Sequence, residues 1–157
     1  MRKPKVYLET TMFNFYYADD APEKRQDTIK LFKEIKEGHY EPYTSQYVVE
    51  ELEKAPDQKK VLMLGLINQF NIKTFDADSE AERLAELYVT EGIIPQKYST
   101  DALHIAIATV KNMDFIVSLN FKHIVKRKTI ETTELVNFRA GYKRVGIYSP
   151  AEVIENE

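Results

Sequence analysis

The sequence predicts an α/β sandwich built on a mainly parallel central sheet, and three observations lead there. Short runs of strand formers alternate with helical patterns along the whole chain, from residues 5–9 to residues 145–148. The stretch 99–124, STDALHIAIATVKNMDFIVSLNFKHI, sets an apolar helix, a covered strand and a polar cluster in unbroken succession. Glu9, Glu51 and Asp101 each fall at the end of a strand run or in the first turns of the helix that follows one, which is the same rim of such a sheet. At 157 residues the chain, 1–157, fits one domain and buries roughly two thirds of its unfolded surface without disulfides.

Residues 5–9, KVYLE, are apolar and then abruptly acidic, the pattern of a central strand with Glu9 at its C-terminal rim. The hydroxyls of Thr10 and Thr11 then either cap the next turn, the plainer role, or hold a water or phosphate. Aromatic-rich residues 12–17 pack over the strand as a short helix or loop. Asp19-Asp20-Ala21-Pro22 opens a helix with acids and proline where a start favours them, and Thr28, Ile29, Leu31, Phe32 and Ile35 carry its amphipathic face to Gly38. Residues 40–44 form a short strand, Ser45 caps the helix containing Val48 to Leu52, and Pro56 ends it. A further amphipathic helix with Val61, Leu62, Leu64, Leu66 and Ile67 runs to Asn68. Residues 72–75 make a third strand, and Asp78-Ser79 caps a helix reaching Glu91-Gly92.

Past Pro95, Ser99 or Thr100 caps an internal helix over 102–108, apolar nearly all round, with Asp101 at its N-terminal mouth. Residues 114–119 suit a fully covered parallel strand, and Ser118, Asn120 and His123 lie beyond its carboxyl end, where open α/β sheets gather ligands. Residues 129–138 form a last helix, 145–148 a last strand, and Ser149-Pro150-Ala151-Glu152 a closing helical turn. No repeat or linker divides the chain.

The absence of cysteine excludes disulfides and thiolate metal sites. With no signal peptide and no long apolar run, the expectation is a soluble cytoplasmic protein that does not engage a membrane. A net charge of -3 means that any nucleic-acid contact rests on a local patch. Residues 122–144 supply Lys122, Lys126, Arg127, Lys128, Arg139, Lys143 and Arg144 against Glu131 and Glu134, with Phe121, Phe138 and Tyr142 interleaved. Charge alone favours a solvated helical surface there.

Carboxylates converging in one cleft repel strongly at low effective dielectric, so a cluster is tolerated mainly when a divalent cation or a shared proton neutralises it. Oxygen ligands suit Mg²⁺ or Mn²⁺, which activate water and stabilise in-line displacement at a phosphodiester. Taken singly, Glu9 fits a turn, Glu51 an exposed acid in Glu50-Glu51-Leu52-Glu53, and Asp101 a complement to its helix dipole; their common placement favours the site. His104, one turn after Asp101, reads as a hydrogen-bonded interior histidine rather than a ligand, and His39 as solvated. No cysteine, ligand-spaced histidine pair or nucleophile elbow supports a serine, cysteine or zinc hydrolase.

These residues resemble the PIN-domain ribonucleases, the family that includes the VapC toxins of toxin–antitoxin pairs, over most of the chain. Val6-Tyr7-Leu8-Glu9-Thr10-Thr11 looks like the opening strand, where the family usually has Asp followed by Thr or Ser. Residues 45–52 look like its second motif, a hydroxyl residue followed six positions later by Glu and then Leu, which selects Glu51 over Glu50. Asp101-Ala102-Leu103-His104-Ile105-Ala106 is similar to the third and most specific motif, and Val117-Ser118-Leu119-Asn120 to the fourth, a strand ending in Thr or Ser near Asn. The resemblance implies a PIN-like α/β/α sandwich with about five parallel strands, a Mg²⁺- or Mn²⁺-dependent endoribonuclease with RNA as substrate, and frequent homodimers. It also raises a toxin role with an antitoxin protein as partner.

The chain departs from the family at two acids. Glu9 replaces Asp, moving the carboxylate by about 1.5 Å, one bond length. Asn120 and His123 stand where a last carboxylate is expected, which lowers the negative charge of the site and weakens a second ion. The expectation is that Glu9, Glu51 and Asp101 coordinate the ion, with Asn120 and His123 completing the catalytic set. Thr10 and Ser118 position water or phosphate, and Lys122 and Arg127, in the basic stretch, hold the backbone. The alternative is a weakened PIN-like module that binds RNA or a protein without turnover.

Overall fold

Val6, Tyr7 and Leu8 have no solvent exposure on either face, and the strand they form, β1 (Lys5–Leu8), is the middle of the sheet. The structure, a computed structural model, describes residues 2–155. β2 (Glu41–Ser45), β3 (Lys73–Phe75), β4 (Phe115–Val117) and β5 (Gly146–Tyr148) complete five parallel strands in the order β3-β2-β1-β4-β5. The chain winds outward from β1 to β3, crosses back, and continues through β4 to β5, so the topological switch lies between β1 and β4. Ligand sites of open α/β sheets form beyond the carboxyl ends of the strands at that point.

Helices cover both faces, as the sequence predicts. α1 (Thr10–Phe15), α2 (Pro22–Lys36), α3 (Gln46–Leu52) and α4 (Asp57–Gln69) connect the first three strands. α5 (Ser79–Thr90), α6 (Ser99–Val110) and α7 (Arg127–Arg139) connect the rest. The right-handed rule for parallel crossovers assigns the two groups to opposite faces, and α8 (Pro150–Val153) returns to pack on α2. α2 ends at Gly38, whose φ of +90° is left-handed backbone that glycine adopts without strain. Among the described residues no helix is long and apolar enough to cross a membrane.

Several local expectations change. A 3-10 turn, Gln96–Tyr98, runs straight into α6, so Tyr98 occupies its N-cap; Ser99 and Thr100 are already helical and cap nothing. Glu9 itself caps α1, accepting from Thr11 N–H, whereas a threonine cap is the expectation from sequence. α4 buries Met63 and Leu66 but leaves Val61 and Leu62 exposed, so its apolar residues do not form the single covered stripe that their spacing suggests.

The basic stretch 122–144 is not one surface. α7 carries the chain from the carboxyl rim of the sheet back to the opposite rim, and twelve residue steps put Arg127 and Arg139 about 18 Å apart along its axis. Lys143 reaches Asp114 at that far rim at 3.4 Å, and Arg144 pairs with Glu134 at 2.6 Å. Asp114 also accepts from Arg2 at 2.8 and 3.0 Å and from Lys5 N–H at 2.7 Å. The Arg2 hydrogen bond leads the interactions that hold its carboxyl well below the usual range, against the cost of burial.

Candidate active site

Where β1 ends, Glu9 turns inward and is 3% exposed. Its Oε1 accepts from Thr11 N–H at 3.1 Å, from the Thr11 hydroxyl at 2.6 Å and from the Ser118 hydroxyl at 2.6 Å. Register explains the last contact: Leu8 pairs with Val117, so the next residues of both strands, Glu9 and Ser118, meet at the switch point. The following loop is stitched to the same place. Leu119 N–H donates to the Thr11 hydroxyl at 2.8 Å, Asn120 N–H to the Ser118 hydroxyl at 2.9 Å, and His123 N–H to Asn120 Oδ1 at 3.0 Å.

A second network runs from β2 through the core. Ser45 caps α3 and meets the Tyr7 hydroxyl at 2.7 Å; that hydroxyl meets His104 Nδ1 at 2.8 Å. His104 Nε2 lies 2.5 Å from Glu51 Oε1, which also accepts from the Thr10 hydroxyl at 2.7 Å. With the His104 ring neutral and its proton on Nε2, Ser45 donates to Tyr7 and Tyr7 donates to Nδ1. Protonation of Nδ1 reverses both hydroxyls without losing a bond. His104 is fully buried, one turn beyond Asp101 on the apolar α6, and is the interior hydrogen-bonded histidine that its surroundings in sequence predict.

The charges of all three acids act on this one imidazole. Burial alone would lower the pKa of His104, but its hydrogen bond to Glu51 and the charges of Glu9, Glu51 and Asp101 outweigh burial and raise it. Burial raises Glu9 despite the charge of His104 and the hydrogen bonds from Ser118 and Thr11. Asp101 is likewise raised by burial, offset in part by His104 and by a hydrogen bond with Asn120. At Glu51 burial pushes the same way and loses to the hydrogen bond and charge of His104 and the Thr10 hydroxyl, so its pKa is lowered. The same three carboxylates that the rim collects therefore favour the protonated form of the one buried imidazole among them.

Glu9, Thr10, Glu51, Asp101, Ser118 and Asn120 therefore share one neighbourhood. Glu51, not the exposed Glu50, faces it. His123 borders it, stacked on Tyr98 with ring centroids 3.9 Å apart, and its Nε2 is buried with no hydrogen-bond partner among the described residues. Lys122 Nζ lies 5.9 Å from the Tyr98 ring centroid, while Arg127 is 90% exposed and only loosely paired with Glu131 at 3.4 Å. Sequence reasoning missed Tyr7 and Tyr98 as members of the site, and the bond of His104 to Glu51. The signal available for Tyr7 was a phenol inside a strand with both faces covered, whose hydroxyl needs an interior partner.

The donor set suits an oxygen-preferring divalent cation in kind. Its placement does not form a cage: among the described residues no group of three or more His, Asp or Glu side chains is disposed to hold an ion. One oxygen each of Glu9 and Glu51 is already held by protein donors.

No protein-family profile matches the sequence, and no curated protein does. Among solved structures, a chain of VapBC2 from Rickettsia felis, crystallised bound to a DNA fragment from their promoter, is similar with a TM-score of 0.55 and 14% identity, covering 92% of this chain and 98% of that chain. At that identity the likeness is one of fold. Together with the five parallel strands flanked by helices, it makes the chain a PIN-like α/β/α sandwich along nearly its whole length.

Proposed function

We propose that this chain is a divalent-metal-dependent endoribonuclease. The observation that carries the proposal is the gathering of Glu9, Glu51 and Asp101 around one buried imidazole at the topological switch of a PIN-like sheet. Glu9, Glu51 and Asp101 would hold Mg²⁺ or Mn²⁺, which supplies an activated water and neutralises charge building on the phosphodiester. Around it the chain positions its own groups. The Thr10 and Ser118 hydroxyls donate to Glu51 and Glu9, so they fix the carboxylates and, through them, water or phosphate. Asn120 accepts from the His123 backbone and favours the ionised form of Asp101, and the unpartnered Nε2 of His123 suits a phosphate oxygen or water. Lys122 and Arg127, on the carboxyl-rim part of the basic stretch, are the cations for the strand backbone. That the VapBC2 likeness comes from a two-component complex supports a toxin role with an antitoxin partner.

A second reading, a PIN-like module that binds RNA or protein without turnover, is favoured by one observation: one oxygen each of Glu9 and Glu51 is occupied by protein donors, and among the described residues no three-ligand group stands ready. Incubation of the full chain with unstructured RNA separates the two. The nuclease reading expects internal cleavage with Mn²⁺ or Mg²⁺ that stops on adding EDTA; binding without metal-dependent cleavage would select the module.

A further inference from the structure

We propose that Phe121 is a stacking platform for a base of single-stranded nucleic acid drawn past Asn120 toward the carboxylates, an inference that rests on the phosphodiester reading above. Phe121 is 46% exposed and directly follows Asn120. It is held rather than loose: Phe121 N–H donates to Leu119 O at 3.1 Å, and Ile124 and Val125 N–H both donate to Asn120 O, at 3.1 and 2.9 Å. The Lys24 ammonium lies 5.6 Å from its ring centroid and 5.7 Å from that of Phe15, so one cation serves two aromatic rings. Three residues past Asn120, His123 stacks on Tyr98, and the Lys122 ammonium lies 5.9 Å from the centroid of the same tyrosine ring.

Lys24 and Lys122 therefore each stand within about 6 Å of an aromatic ring in, or packed against, the segment that follows Asn120. A single strand offers the matching sequence of parts, a π-face on each base and an anionic phosphate between bases. A duplex hides its base faces in the stack. With a net charge of -3 the chain has no general attraction for polyanions, so local lysines beside exposed rings must supply it. Stacking tolerates any base, so the platform sets strand state and position relative to the acids, not a base sequence.

The test is equilibrium binding of the full chain, without divalent metal, to a labelled unstructured RNA strand, its DNA counterpart, the matching duplex, and strands made abasic at successive positions. Phe121→Ala is expected to weaken single-strand binding roughly tenfold with an unchanged melting temperature, and Phe121→Tyr to restore it. One abasic position should erase the difference between parent and Phe121→Ala. A loss shown with RNA, with DNA or with both supports the platform and identifies its source. Equal affinity of parent and Phe121→Ala, no single abasic position that matters, preference for duplex, or no binding by the parent overturns it. If the Phe121 dependence holds but the parent never cleaves with Mn²⁺, the nuclease reading falls and the platform stands; if the parent cleaves and Phe121→Ala keeps its KM, the platform alone falls.

Discussion

Asp101→Asn is expected to lower metal-dependent RNA cleavage by on the order of 10²-fold or more, in kcat more than in KM, while leaving the fold intact. The exchange keeps size and hydrogen-bonding capacity but deletes a charge from the first turn of α6. Asp101 provides no side-chain cap to that helix, and burial works against its ionised form, so the asparagine relieves a desolvation penalty. The melting temperature should therefore stay level or rise, the mark of a carboxylate kept for chemistry at the expense of stability. Single-turnover cleavage with Mn²⁺, beside a thermal melt, reads both; activity within a few fold of the parent would remove Asp101 from the mechanism.

His104→Ala is expected to cost about 3–5 kcal/mol of stability, the largest effect of any single change in the site. Truncation leaves a cavity in a fully buried position and removes one hydrogen bond each from the Tyr7 hydroxyl and Glu51, which among the described residues keep only Ser45 and Thr10 as partners. Tyr7→Phe, which removes only the hydroxyl, should cost about 1 kcal/mol. The pH dependence has a definite sign. Because the pKa of His104 is raised in the folded protein, its protonated form stabilises fully below the unfolded value, about 6.5, and that stability is lost as pH rises through the folded value. Denaturant melts of parent and His104→Gln across neutral to alkaline pH should show the step only in the parent.

What could be read from sequence follows the range of the interactions involved. The strand formers at Val6 to Leu8 and the all-round apolar α6 announce burial locally, so the parallel sheet, its central strand and the interior His104 were legible. The placement of Glu9 and Glu51 after β1 and β2 follows from strand ends that local pattern also shows, whereas Asp101 opens a helix entered from α5 through a 3-10 turn and not from a strand. The Tyr7–His104 bond joins residues 97 positions apart, and nothing near either one names the other. Capping was misassigned for a related reason. Glu9 caps α1 because Ser118 and Thr11 hold its carboxylate there, and Tyr98 begins α6 because a 3-10 turn feeds it; neither is visible in a local preference for threonine or serine caps. The basic stretch looked continuous because a linear sequence does not show that α7 traverses the full depth of the sheet.

Calorimetric titration of Mn²⁺ into the parent and into Asp101→Asn tests most directly whether the acids act as one unit. The account predicts a single class of saturable site in the parent that Asp101→Asn abolishes. A parent that takes up no ion, or an Asp101→Asn protein that binds it equally well, would contradict it.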